Sequence, residues 1–209
     1  MRYLYLHGFC SGPSTFKGNY FRRRFAEHGI ELQAPDLNSP GFEQLTISSQ
    51  LAIIRNVLQE SEEPTTLIGS SMGGYLGCLI AQDSPIIARL IMIAPAIRFL
   101  ERYLDLIGKQ QAARWRETGW MEVDHYQYGE KRRLHYGIIE DARQYENCVL
   151  NRTLPALIFH GIYDDTVPYQ GSIEYLNANP QAELILFPAD HSLNAEIDRL
   201  WHHIKPELI

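Results

Sequence analysis

The chain has 209 residues, 45% hydrophobic and 21% charged, an ordinary globular composition long enough to bury a core without staples. A formal charge of −6 argues against nucleic acid as a partner, and the one basic run, "FRRRF" at 21–25, reads as the solvated face of a helix. Three cysteines, Cys10, Cys78 and Cys148, stand far apart without CxxC spacing, which excludes a disulfide framework or a zinc site and fits a reducing compartment.

The elements follow in chain order. The opening "RYLYLH" (2–7) is a short apolar run, without the apolar core or cleavage site of a signal peptide. No apolar run reaches bilayer length, so the expectation is a cytoplasmic protein with no membrane span. A Gly/Ser/Pro-rich loop follows, then a second run, "IELQAP" (30–35). Ile47, Leu51, Ile54 and Leu58 share one helix face. "TTLIGS" (65–70) is the third run, and "GGYLGCLIA" (73–81) is apolar nearly all round, as a helix buried on a sheet would be. "RLIMIAP" (89–95), "PALIFHG" (155–161) and "AELILFP" (182–188) complete six candidate strands. Leu193, Ile197, Leu200, Trp201 and Ile204 form a last helical stripe. Near-continuous apolar runs alternating with helices imply a parallel sheet covered on both faces.

Residues 97–150 break this rhythm. "IRFLERYLDLIGKQQAARWRETGW" reads as one helix, "MEVDHYQYGEKRRLHY" as a small hairpin and "GIIEDARQYENCVL" as helix again. The stretch is expected to be a cap or lid inserted into a single domain spanning 1–209.

Chemistry is expected first at "GSSMG", residues 69–73. G-x-S-x-G is met only with Ser71 at the centre; centring on Ser70 puts Ile68 and Met72 at the glycine positions. The motif needs a strand before and a helix after, and both are present. A serine hydroxyl needs a base, and the base an orienting acid. In this architecture the acid and then the histidine follow the serine along the chain. "FHGIYDDTVP" (159–168) and "FPADHSL" (187–193) both fall just past strand ends. They offer Asp164 or Asp165 as the acid and His191 as the base, with Asp190 adjoining His191. An oxyanion hole needs backbone N–H donors. One is Met72, after the serine; the other lies in "YLHGFCSGPS" (5–14), with Phe9 first and Cys10 second. His7 reads as structural and Cys10 as a loop thiol.

These motifs together resemble a small α/β-hydrolase. "YLHGFCSGPS" resembles the opening of YqiA-type bacterial esterases. "WRETGW", "GIIEDAR", "HGIYDDTVP" and "DHSL" resemble thioesterase-like and serine-aminopeptidase-like hydrolases. The resemblance covers nearly the whole chain. It implies an α/β-hydrolase fold with a reduced, mostly parallel sheet of about six strands. It implies Ser71 as nucleophile, His191 as base and, through HGxxDxxVP, Asp164 rather than Asp165 as the acid.

The expected activity is cleavage of a carboxylic ester or thioester of a small acyl substrate by a serine esterase, with no metal or organic cofactor. Another hydrolase-fold reaction is the alternative: a peptidase or an acyltransferase, with a non-catalytic binding protein less favoured. Trp115, Trp120, Tyr126, Tyr128 and Tyr136 are expected chiefly to pack the insertion onto the body, with lining of an acyl pocket as the lesser possibility.

Overall fold

A computed structural model describes residues 1–208. In chain order its elements are β1 (Arg2–Leu6), α1 (Phe16–Ala26), α2 (Ile47–Gln59), β2 (Thr65–Ser70), α3 (Met72–Ala81), β3 (Ile87–Ile93), α4 (Phe99–Ile107), α5 (Lys109–Thr118), β4 (Trp120–His125), β5 (Glu130–His135), α6 (Gly137–Ala142), β6 (Ala156–Gly161), α7 (Gln170–Ala178), β7 (Ala182–Phe187) and α8 (Ile197–Ile204). One sheet holds β1-β2-β3-β6-β7 in that spatial order, and every neighbouring pair is parallel.

Alternation within β1 shows why its sequence is apolar throughout. Tyr3 and Tyr5 face one layer with Phe21 and Phe25 of α1 and Trp201 of α8. Leu4 and Leu6 face the other, with Leu51 and Ile54 of α2 and Leu76 of α3. A strand buried on both sides has no polar face to show. In "FRRRF" the two phenylalanines are fully buried, Arg22 and Arg23 are exposed, and Arg24 pairs with Glu27 and Asp198 at 3.1 Å each. α2 starts where a capping box allows: Thr46 Oγ1 accepts from Ser49 N at 2.9 Å, and Ser49 Oγ accepts from Thr46 N at 3.0 Å.

Five strands form instead of about six. "IELQAP" pairs with β1 at a single bridge, Leu4 to Gln33, through Gln33 N to Tyr3 O at 3.0 Å and Tyr5 N to Gln33 O at 2.7 Å. The next rung would need an N–H at residue 35, which is proline, so the ladder stops.

Residues 97–150 hold α4, α5, the antiparallel β4–β5 hairpin and α6. The expected single helix is two, broken at Gly108, whose φ of +77° and ψ of 157° suit only glycine. The second expected helix stops at Ala142, and turns follow. Hydrogen bonds and ion pairs join this segment to the body, among them Tyr75 Oη to Tyr145 O at 3.1 Å and Arg98 to Glu174 at 3.0 Å. Ser48 of α2 donates to Asp141 of α6 through its N–H, at 2.8 Å, and its hydroxyl, and its oxygen accepts from Gln144 Nε2 at 3.2 Å. Arg132 pairs with Glu43 at 3.1 Å. Tyr126 N donates to Cys10 O at 2.8 Å.

Candidate active site

Ser71 stands between β2 and α3 at φ 54° and ψ −116°, a region that strains any residue but glycine. The surroundings hold it there. Its N–H donates to Ile93 O at 2.8 Å, and its carbonyl accepts from Gly74 and Ala96 at 3.0 Å each. The flanking glycines are required by close approach. A Cβ on Gly69 would meet the backbone of Gly73 and Gly74, and one on Gly73 the carbonyls of Leu6 and His7. Ser70, the other serine, is buried at the end of β2.

Asp164 follows β6 and His191 follows β7, so serine, acid and histidine all sit past carboxyl ends of strands. His191 Nδ1 lies 2.7 Å from Asp164 Oδ2, and Nε2 lies 3.1 Å from Ser71 Oγ. An ionised carboxylate only accepts, so Nδ1 carries the proton and Nε2 turns its lone pair to the serine hydroxyl. The other carboxylate oxygen accepts from Val167 N at 2.7 Å and Thr166 N at 3.0 Å. Burial alone would raise the Asp164 pKa. Hydrogen bonds and charge from His160 and His191, with the Val167 amide, outweigh it and hold the carboxyl well below the usual range.

The competing acids point elsewhere. Asp165 is exposed and accepts from Thr166 Oγ1 at 3.3 Å. Asp190 Oδ1 accepts from Ser192 N at 2.9 Å and Ser192 Oγ at 2.7 Å, closing its own turn. Lys17 lies within the field of Asp164 and Asp190, and burial pushes its pKa down to about 8.

Phe9 and Met72 both border the cavity beside Ser71 and His191. The Phe9 N–H has no protein acceptor among the described residues, and Met72 opens α3, where a first-turn amide has no helical partner. Gly8 lets the loop come close: a Cβ there would lie 3.3 Å from Ser71 Cβ. His7 ties this loop down, its Nε2 accepting from Leu37 N and its Nδ1 donating to Gly8 O, at 3.0 Å each. Cys10 is buried at φ 52°, and burial, with the nearby Asp124 charge, pushes its thiol pKa up, the opposite of an activated nucleophile.

The cavity over Ser71 encloses about 320 Å³. Its main wall is one face of α4, with Phe99, Tyr103, Leu106 and Ile107, and Met121 and Val123 of β4 stand with them. Phe9 packs on Tyr103 at 5.2 Å between ring centres, and Tyr103 stacks on Phe99 at 5.3 Å. Of the five aromatics picked out in the sequence, only Tyr126 lines this space. Trp115 and Tyr136 are buried against each other at 5.4 Å. Trp120 lies under Arg133, and Tyr128 stacks on His125. The α4 wall was missed, although Phe99, Tyr103, Leu106 and Ile107 carry the four, three, one spacing of a helical stripe. His160, against Asp164, was also missed, because its His-Gly pair reads as a mere strand end. No group of three or more His, Cys, Asp or Glu side chains among the described residues is placed to hold a metal ion.

A family model described as "Uncharacterised protein family (UPF0227)" matches residues 2–205. The chain belongs to UPF0227. Among curated proteins this UPF0227 member is similar to the mouse "Palmitoyl-protein thioesterase ABHD10, mitochondrial". It is 27% identical over 147 residues, which is 66% of this chain and 49% of that protein. The cattle protein of the same description is 25% identical over 173 residues, 77% and 56% of the two lengths. The chain thus spans about half the length of these curated relatives. Among solved structures, a putative hydrolase from Agrobacterium vitis S4 superposes with a TM-score of 0.83 at 26% identity, over 99% of this chain and 87% of that one. Mouse alpha/beta hydrolase domain-containing protein 10 gives 0.81 at 22% identity, over 98% and 88%. Est1E from Butyrivibrio proteoclasticus, with ferulic acid bound, gives 0.78 at 22% identity, over 98% and 86%. The chain is a member of the α/β-hydrolase superfamily. No helix among the described residues is long and apolar enough to cross a membrane.

Proposed function

We propose that this chain is a serine hydrolase that cleaves carboxylic esters or thioesters through an acyl-enzyme. The observation that carries the reading is the unbroken chain from Ser71 Oγ through both nitrogens of His191 to Asp164, at 3.1 Å and 2.7 Å, under a mostly apolar cavity. Ser71 Oγ attacks the substrate carbonyl as His191 Nε2 takes its proton. Asp164 keeps the imidazole in the required tautomer and stabilises the imidazolium. The Phe9 and Met72 amides, free to donate, face the developing oxyanion. His191 returns its proton to the leaving group, then activates water to release the acid.

An apolar wall beside the nucleophile suits the acyl part of a small-molecule substrate. Thioester or ester chemistry is supported by the names of similar proteins, a palmitoyl-protein thioesterase and a structural neighbour described as an esterase from Exiguobacterium antarcticum. Residues 97–150 act as the cap, because α4 and β4 supply most of that wall.

The test is labelling by a fluorophosphonate probe. Wild type should label and Ser71→Ala should not. Failure of folded wild type to label would remove the serine-hydrolase reading, and labelling lost only in Ser70→Ala would move the nucleophile. A panel of oxygen esters, thioesters and amides then separates the reaction types.

A further inference from the structure

His160 is the penultimate residue of β6 and is fully buried. The acyl-transfer scheme does not use it, yet its ring lies against the carboxylate that the scheme depends on. Its Nε2 stands 2.8 Å from the Val167 carbonyl oxygen and 3.2 Å from Asp164 Oδ2. Its Nδ1 stands 2.8 Å from the hydroxyl of Ser172, fully buried on the first turn of α7.

The partners assign the tautomer. A carbonyl only accepts, so Nε2 carries a proton. The Ser172 hydroxyl has no other acceptor among the described residues, so it donates to Nδ1. The ring is therefore neutral, with Nε2–H aimed at the 164–167 turn. Val167 is gripped at both ends: its carbonyl by His160, and its N–H by Asp164 Oδ1 at 2.7 Å. Asp164 Oδ2 touches two imidazoles, His160 at 3.2 Å and His191 at 2.7 Å.

We infer that His160, locked by Ser172, is a positioning residue that fixes the rotation of the Asp164 carboxylate and shares Oδ2 with His191. The inference rests on reading Ser71, His191 and Asp164 as a triad. Sharing has an electrostatic consequence. The Nε2–H that His160 gives to the Val167 carbonyl also lies within 3.2 Å of Oδ2 and draws on the carboxylate charge that faces His191, so His160 acts on both the geometry and the charge of the acid. The other groups facing this pair are Ser71, the Thr166 and Val167 amides, Asp190 and Lys17, and substitution of His160 leaves all of them in place.

The test is the pH profile of hydrolysis of a soluble short-chain ester by His160→Leu, His160→Gln and Ser172→Ala. His160→Leu should lower kcat roughly tenfold to a hundredfold, as losing the outer partner of a functional ligand does, with KM changing less than about twofold. The acid limb of kcat/KM should move to higher pH, because Oδ2 then turns its full charge to the imidazolium formed during turnover. His160→Gln, which can restore a donor near the Nε2 position, should recover most of kcat and the wild-type limb. Ser172→Ala loses one hydroxyl and should shift the limb the same way by less, so a His160→Leu chain that fails to fold leaves the question decidable. An acid limb that stays in place in Ser172→Ala, and in any folded His160→Leu, overturns the inference. Ser71→Ala run alongside separates the two levels. Wild-type activity in it removes the triad reading; an inactive Ser71→Ala beside unshifted His160 and Ser172 variants removes the positioning role alone.

Discussion

The rim of the sheet and the 97–150 segment face each other across one cavity, and they are built differently. At the rim, Ser71, Asp164 and His191 hang from the ends of three parallel strands, each held by short hydrogen bonds, with the Asp164 side chain wholly buried. Strained backbone collects there too: Cys10, Ser71, Ala94 and Leu193, all at positive φ, follow β1, β2, β3 and β7. The facing wall is made of amphipathic elements with much exposure: Leu106 and Tyr126 are 55% and 78% exposed, and among the segment's described residues Arg98, at the N-cap of α4, is the one non-glycine residue at positive φ. The contrast separates two jobs. On the proposed function, fixed geometry belongs where bonds are made and broken, and the body can hold it because β2 and β6, which lead into Ser71 and Asp164, are buried on both faces. Selection of the acyl group needs only apolar area, which a partly exposed segment can supply.

The largest effect should come from the rim. Asp164→Asn keeps the shape but presents an amide to His191, favouring the wrong tautomer, and should lower kcat about 10⁴-fold while the protein stays folded. Steady-state kinetics on a short ester checks it; a loss under tenfold would mean that Asp164 does not orient His191. The same residue sets an acid limit. Its folded pKa lies below the unfolded value of 3.8, so its stabilisation is fully present above that pH and is lost as pH falls through the depressed folded value. Acid unfolding followed by far-ultraviolet circular dichroism should therefore be less steep below about pH 4 in Asp164→Asn than in wild type.

Packing gives the next effect. Gly73→Ala puts a methyl into the backbone carbonyls of Leu6 and His7, neither of which can turn aside. We expect a loss of about 3 kcal/mol or more in urea unfolding, and loss of activity, because relief requires α3 to move away from β1. A folded, active Gly73→Ala would show that the rim is softer than its contacts imply.

The sequence revealed these two regions unequally, for the same reason. Ser71, Asp164 and His191 could be picked out because the strained bend demands glycines at fixed spacing and because sheet topology puts the three loops on one edge in a fixed chain order. β1, β2, β3 and β6 were visible as runs buried on both faces, and the edge strand β7 as an apolar run that is only partly buried. "IELQAP" was overread because apolar character does not report pairing; the missing N–H of Pro35 decides that. The α4–α5 break was hidden because "KQQAAR" after Gly108 is made of strong helix formers, so helix propensity runs on past the glycine. The cavity wall was missed because a helical stripe looks alike whether it faces a core or a cavity, and only tertiary placement tells them apart. His160 was passed over for a related reason: its partners, Val167 and Ser172, become neighbours only when the turn after β6 folds back.

The tie between the regions should be worth less than either. Tyr126 N–H to Cys10 O joins the hairpin to the loop that carries Phe9. Tyr126→Pro removes that donor and Tyr126→Ala keeps it. The proline variant should lose about 1 kcal/mol of stability relative to alanine, the worth of one hydrogen bond. It should also lower kcat several-fold as the Phe9 amide wanders, which alanine should not do. Equal kcat in the two would show that the oxyanion loop stands without the hairpin.

The smallest effect should be the most selective. Leu106 belongs to the α4 stripe, lines the cavity and is 55% exposed, so truncating it removes apolar contact without opening a hole in a core. Leu106→Ala should leave thermal stability within about 0.5 kcal/mol of wild type, as surface changes do. Short acyl esters that end near Ser71 never reach Leu106, so their kinetics should not change. Longer esters should bind more weakly by the contact of about one methylene, roughly 0.8 kcal/mol or about a fourfold rise in KM, with kcat unchanged because the lost contact is the same in the ground and transition states. The diagnostic is therefore the slope of KM against chain length. If Leu106→Ala changes short and long esters alike, the stripe is not the acyl wall, and selection must lie on the β4 side of the cavity.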